Sequence, residues 1–149
     1  EHEYASDIQR TYYIREDGET DVCSEVKQAF ETLYEAVTKA AEAIKPGVPG
    51  YRIDAVARNH VKAKGYKEWN YALGHQVGRF AHDGGIILAP QWERYARSRV
   101  ESPLMEGMVF TLEPGIATSR GYVAVEEMVV VHENGAEFLS SRQKEVFVL

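Results

Sequence analysis

The sequence predicts an α+β fold, with helices on one side of a mostly antiparallel sheet. Three observations carry this. One strand, two helices and then several strands follow in that order, which points to segregated layers rather than alternating βαβ units. Apolar residues recur at helical spacing over 22–45 but fall into strand-length runs over 107–131. Gly, Ser and Asn separate those later runs, as turns between strands require. At 149 residues one domain is expected, and a chain of that size hides about two-thirds of its unfolded surface.

The elements follow in order. Residues 4–14 are rich in Tyr, Ile and Thr, which suit a pleated surface, and predict a strand. Asp17-Gly18 signals a turn. Over 22–45, Val22, Val26, Ala29, Phe30, Leu33, Val37 and Ile44 mark one face of an amphipathic helix. Thr20 or Asp21 can cap it, and Pro46-Gly47 stops it. A second helix, 51–64, carries Ile53, Val56, Ala57 and Val61 and ends at Gly65. Residues 68–80 mix aromatics with glycine, His82–Gly85 reads as a tight turn, and 90–105 as irregular chain with a short helix. Runs 107–116, 122–131 and 145–149 predict strands. There is no internal repeat or low-complexity linker.

Charge narrows the function classes. Seventeen Lys and Arg against 23 Asp and Glu leave −6. Phosphate binding runs on Lys and Arg, so no nucleic-acid partner is expected, nor a basic membrane-binding face. No apolar run approaches ~18 residues, so no membrane span is expected. The single Cys23 allows no intrachain disulfide, which fits a reducing cytoplasm. The sequence starts at Glu1 without an initiator Met and runs straight into strand-like residues, as a piece of a longer protein would.

Carboxylates inside apolar strands are the first chemical signal. Successive strand residues point to opposite faces. Val123, Val125, Glu127 and Val129 share one face of 122–131, while Ala124, Glu126 and Met128 share the other. A buried carboxylate is costly unless paired or bound to a metal. The bland alternative is a sheet end where both glutamates reach water. Glu113 ends another apolar strand at Pro114-Gly115, and Asp7 shares a polar face with Gln9, Thr11 and Tyr13. His75 and His82 lie in a glycine-punctuated segment, where backbone can approach closely. His2 is terminal, His60 reads as a solvated helix residue and His132 as a turn residue. Imidazole with carboxylates suits Mn, Fe, Co or Zn, and the missing thiolates exclude a zinc-finger pattern.

Four motifs in order now define a resemblance. Ser6-Asp7-Ile8-Gln9-Arg10-Thr11, Gly74-His75-x-x-Gly78 with His82, Thr111-Leu112-Glu113-Pro114-Gly115 and Val125-Glu126-Glu127 resemble the pita-bread metallopeptidases. That family includes methionine aminopeptidase, prolidase, Xaa-Pro aminopeptidase and creatinase. The motifs are most similar to the prolidase and Xaa-Pro aminopeptidase branch. The resemblance implies a curved-sheet pita-bread fold, with 1–149 the C-terminal portion of a catalytic domain. It also implies a metal-dependent exopeptidase, with peptide substrates, a possible homodimer and an N-terminal domain outside this chain. Two divalent ions would be bound in the intact enzyme, manganese being the first expectation. Asp7, His75, Glu113 and Glu126 would be metal ligands, with Glu113 also shuttling protons. His82 would hold the substrate carbonyl or the developing oxyanion. Glu127 would be an acidic neighbour that is not a ligand.

Four departures accompany the resemblance. A further aspartate ligand would fall before Glu1, so activity is expected of the intact protein rather than of these 149 residues alone. Tyr71 stands where Xaa-Pro-specific relatives usually carry histidine, and Ala124 where they often carry arginine. Gln76 replaces a common glycine. Two competing readings are a non-catalytic peptide- or partner-binding module and a creatinase-like hydrolase of a small C–N compound. Retention of every ligand position within the chain favours the enzyme over the first. Asp7, Glu113 and Glu126 together weigh against the second.

Overall fold

A computed structural model describes residues 3–149; Glu1 and His2 lie outside the described residues, and with them any reading of His2. The elements are β1 (Tyr12–Tyr13), α1 (Ser24–Ala43), α2 (Gly50–Ala63), β2 (Gly74–Val77), β3 (Ile87–Leu88), α3 (Arg97–Val100), β4 (Val109–Leu112), β5 (Gly115–Thr118), β6 (Gly121–Ala124), β7 (Glu127–His132), β8 (Gly135–Phe138) and β9 (Phe147–Val148). Five strands form an antiparallel sheet in the order β3-β2-β4-β7-β8. A β5–β6 hairpin and a parallel β1–β9 pair stand beside it. The α+β expectation holds.

The core lies between the two long helices and the sheet. Phe30, Leu33, Val37 and Ile44 of the α1 region and Ile53, Ala57 and Val61 of α2 are buried with Leu73, Leu88, Phe110, Leu112, Val129 and Val131. These helix positions are the ones the 3.6-residue period selects. No helix among the described residues is long and apolar enough to cross a membrane.

Several expectations are corrected. The strand over 4–14 shrinks to Tyr12–Tyr13, with one isolated bridge between Gln9 and Glu126. Its backbone bonds go to several partners: Ala5 N–H to Gly78 O, Gln9 N–H to Glu126 O, and Thr11 N–H to the Gln143 side chain. A segment crossing several elements makes no continuous ladder with any one of them. Neither Thr20 nor Asp21 caps α1; Cys23 holds the N-cap position without a side-chain bond, and Asp21 accepts from Val22 N–H instead. Strands β2 and β3 fall in stretches where the sequence predicts no element, and β8 in one that reads as turn-like, because Gly74, Gly135 and their short lengths hide the alternation. His60 is not solvated: its Nε2 lies 3.0 Å from Glu35 Oε2 and its side chain is largely buried. His132 ends β7 rather than lying in a turn.

The most consequential correction concerns the runs 107–116 and 122–131. Each is broken, the first at Glu113-Pro114 and the second at Val125-Glu126. Proline has no N–H to give a ladder, and at these two points the chain leaves the five-stranded sheet for the β5–β6 hairpin and returns. Glu113 and Glu126 stand at those crossings.

Candidate metal centre

Three adjacent strands meet at one place. His75 is on β2, whose register with β4 pairs Gln76 with Phe110. Glu113 follows β4 and is held there by its N–H to Leu73 O at 2.7 Å. The last pair between β4 and β7 is Leu112 with Glu127; one step further stand Glu113 and Glu126. Asp7 arrives on the N-terminal segment, which bridges to Glu126 through Gln9 two residues later. Gly74 makes the approach possible, since a Cβ there would collide with the Thr111 carbonyl.

The four residues expected as ligands therefore converge. His75 Nε2 lies 3.7 Å from Asp7 Oδ2 and 3.4 Å from Glu113 Oε1. Ligand atoms of His75, Glu113 and Glu126 lie within 4.8 Å of one another, as do those of Asp7, His75 and His82. His75 Nδ1 is 3.4 Å from the Gln76 carbonyl oxygen, a contact that favours the proton on Nδ1 and leaves the Nε2 lone pair facing the acids. Acceptor atoms thus point at one another with no Lys or Arg paired to Asp7, Glu113 or Glu126 among the described residues. A divalent cation fits this donor set: hard oxygens with one imidazole nitrogen.

The electrostatics agree. Burial pushes the Glu113 carboxyl up to about 7, with the charge of Asp7 adding to it and a Thr111 hydrogen bond opposing it. Burial, then the charges of Glu113 and Asp7, push Glu126 up to about 7 as well. The same burial pulls the His75 imidazole below its ordinary value. Buried like charges that disfavour ionisation mark places where a cation is wanted.

His82 is exposed and packs edge-on against His75, ring centroids 4.3 Å apart. It is free to face a ligand held at the acids. Glu126 and Glu127 are both buried, which overturns the alternative of two solvated glutamates. They face different partners. Glu127 accepts from Arg10, from Ser140 and from the Gln143 N–H, so it is consumed in bracing the sheet.

Sequence reasoning missed three supports. Thr111 is fully buried; its Oγ1 accepts from His75 N–H at 3.1 Å and donates to Glu113 Oε1 at 3.3 Å. Its place two residues before Glu113, on the same strand face, was the available signal. Arg10 reaches the Glu126 carbonyl as well as Glu127, and nothing in the sequence alone linked them. Asp54 and Arg58 form a buried pair on α2: Arg58 donates to the carbonyls of Trp69 and Tyr71, and Asp54 accepts from Leu73 N–H. Their i, i+4 spacing was readable, their burial was not. Gln76, noted as a departure, accepts from Ile86 N–H and pins the return to β3.

Comparison with known proteins settles the family. The model of metallopeptidase family M24 matches residues 1–133. The chain belongs to metallopeptidase family M24. Among its family relatives, the Xaa-Pro dipeptidase of Pyrococcus horikoshii is 35% identical over 145 residues, covering 96% of this chain and 37% of that protein. This chain thus spans little more than a third of the length of that relative. Among solved structures, dipeptidase PepE from Mycobacterium ulcerans superposes with a TM-score of 0.82 at 33% identity, covering 97% of this chain and 36% of the other. The X-Pro aminopeptidase of Thermotoga maritima gives 0.82 at 34%, over 99% and 38%. Methionine aminopeptidase from Rickettsia prowazekii gives 0.72 at 22%, over 91% and 58%, a likeness of fold alone. The fold is thereby the pita-bread fold of M24 peptidases.

Proposed function

We propose that residues 1–149 form the C-terminal portion of the catalytic domain of a metal-dependent exopeptidase that removes the N-terminal residue from Xaa-Pro peptides. The observation that carries this reading is the convergence of Asp7, His75, Glu113 and Glu126, acceptors facing acceptors around His75 Nε2. The names of the family relatives, dipeptidases and aminopeptidases acting at Xaa-Pro, support the substrate class.

In this reading Asp7, His75, Glu113 and Glu126 hold divalent metal, manganese foremost, with two ions in the intact enzyme. Bound metal supplies a water acidic enough to deprotonate near neutral pH. With metal bound, Glu113, 3.4 Å from His75 Nε2 at the edge of the cluster, would be placed to accept a proton from water and return it to the leaving amine. His82, beside His75 and open to solvent, donates to the carbonyl oxygen as it gains charge. Thr111 holds Glu113 in place, and Arg10 fixes the backbone of Glu126. A soluble cytoplasmic enzyme, a homodimer, one more aspartate ligand from the part of the catalytic domain that precedes Glu1, and a separate N-terminal domain complete the proposal.

The test is direct. The purified natural-length protein is analysed for Mn, Fe, Co and Zn and assayed on Ala-Pro and Ala-Ala peptides. Bound metal, with chelator-sensitive cleavage stronger on Ala-Pro, is the expected result. Protein that takes up no divalent metal at neutral pH would sink the reading.

A further inference from the structure

Tyr71 and Tyr122 take no part in the metal centre as built above, yet they meet beside it. Their hydroxyl oxygens are 2.9 Å apart. Tyr71 precedes His75 by four residues, and Tyr122 on β6 precedes Glu126 by four. The Tyr122 ring lies over Gly115, two residues beyond Glu113, so closely that a Cβ there would collide with the ring and its hydroxyl. Gly115 pairs in register with Ala124, so both strands carry small residues at that point.

The pair is held, not loose. Arg58 donates to the Trp69 carbonyl at 2.6 Å and to the Tyr71 carbonyl at 2.9 Å, and Asp54 accepts from Leu73 N–H at 3.2 Å. Tyr71 is half-buried. Burial, the Tyr122 hydroxyl and the charges of Glu113 and Glu126 hold its phenol well above the ordinary tyrosine range, so it stays neutral. Tyr122 also lines an open cleft of about 590 Å³ together with Tyr66, Trp69, Asn70, Gly115 and Ala117.

Two phenols carry two protons. One serves their mutual bond and the other is left to donate. We propose that the Tyr71–Tyr122 pair positions the substrate, its free phenol proton donating to a carbonyl or carboxylate oxygen of a peptide bound at the acid cluster. The peptide in question is the substrate of the exopeptidase reading, on which this inference rests.

Tyr71→Phe and Tyr122→Phe, made in the natural-length protein, test it. With manganese supplied, each variant raises KM about 3- to 10-fold, the worth of one hydrogen bond, and leaves kcat within about twofold. Ala-Pro and Ala-Pro-Ala separate the two oxygen sources. A rise on Ala-Pro alone identifies a terminal carboxylate; a rise on both identifies a carbonyl; either supports the pair. Unchanged KM on both peptides, or a fall in kcat alone, overturns it and leaves a brace for the metal ligands. Calorimetric titration of metal-free protein with Ala-Pro-Ala supplies a readout that needs no turnover. Binding weakened by the same factor in the variants supports the pair even if the wild-type protein proves unable to cut, which would defeat the exopeptidase reading alone. Equal binding in all three proteins overturns the pair whatever the turnover; where none of the metal-free proteins binds, the KM comparison with manganese decides.

Discussion

Two regions of this protein bury charge, and they do so in opposite ways. On α2, Asp54 and Arg58 are almost wholly buried and answer each other: two bonds at 2.8 Å join them. What they leave over is taken up by the Trp69 and Tyr71 carbonyls and the Leu73 N–H. The guanidinium also lies 4.2 Å from the Trp69 ring centroid. Burial raises the Asp54 carboxyl, and Arg58 opposes it. At the strand ends, Asp7, His75, Glu113 and Glu126 bring acceptors together without a cationic partner among the described residues. Both regions cost desolvation. The first recovers it within the fold, and the second needs something from outside. Neutralisation, not burial, separates a structural charge cluster from a site.

That contrast is broken most severely by exchanging one acid of the open cluster. On the proposed exopeptidase reading, Glu113→Gln in the natural-length protein is expected to lower kcat on an Xaa-Pro peptide by about 10³-fold, the range of a general acid–base group. Without metal its melting temperature should not fall below that of metal-free wild type, since a neutral amide removes buried repulsion. A variant that melts well below wild type would show that Glu113 is held by a partner after all. Arg58→Ala should do the reverse. Removing one member of a buried pair costs about 3 kcal/mol or more, read as a lower denaturant midpoint. Arg58→Ala that unfolds like wild type would mean the pair is not the brace described here.

A bound cation should exchange one behaviour for the other. Glu113 and Glu126 are raised from 4.5 to about 7 in the folded protein. An acid with a raised folded pKa binds its proton better when folded, so its stabilisation is complete below about 4.5 and is lost as pH rises through about 7. Metal-free protein should therefore lose stability between pH 5 and pH 8. Manganese at a hundred times its Kd adds about 2.7 kcal/mol, and a fixed manganese concentration adds more at pH 8 than at pH 5, because ligation needs the carboxylates ionised. Urea titrations at both pH values, with chelator or with manganese, measure this. The same pH loss in a Glu113→Gln, Glu126→Gln double variant would assign it elsewhere.

The two regions also differed in how far the sequence exposed them. Carboxylates in apolar strands and two histidines among glycines marked Asp7, Glu113, Glu126 and His75 as out of place before any geometry, and the resemblance to pita-bread metallopeptidases made them candidate ligands. Residues of a site announce themselves by being the wrong type for their surroundings. Supports do not: Asp54 and Arg58 look like any solvated i, i+4 pair, and Thr111 like any strand threonine. Fold class and both long helices were legible because periodicity over 14–20 residues is a strong signal. The breaks at Glu113-Pro114 and Val125-Glu126 were not, although Pro114 offered a hint. A chain that changes sheets keeps its apolar alternation, and only the neighbouring strands decide where it turns.

Thr111 yields the smallest predicted effect and the sharpest test of where the two regions meet. It is a neutral residue serving the uncompensated site: one hydroxyl accepts from the His75 backbone and donates to the Glu113 carboxylate. Thr111→Val keeps the shape and removes both bonds. The His75 N–H then loses its partner, for about 1–2 kcal/mol of stability. Glu113 loses the one hydrogen bond that opposes its raised pKa, so it is harder to ionise and to hold in line for a cation. Manganese affinity should drop about tenfold, as when other supports of ligating groups are removed, and Thr111→Ser should recover most of it. Competition against a chelating dye reads both variants. If Thr111→Val binds manganese as wild type does, Glu113 is positioned by the strand end alone. The acid cluster would then be set by backbone register, just as the Asp54–Arg58 pair is set by side chains.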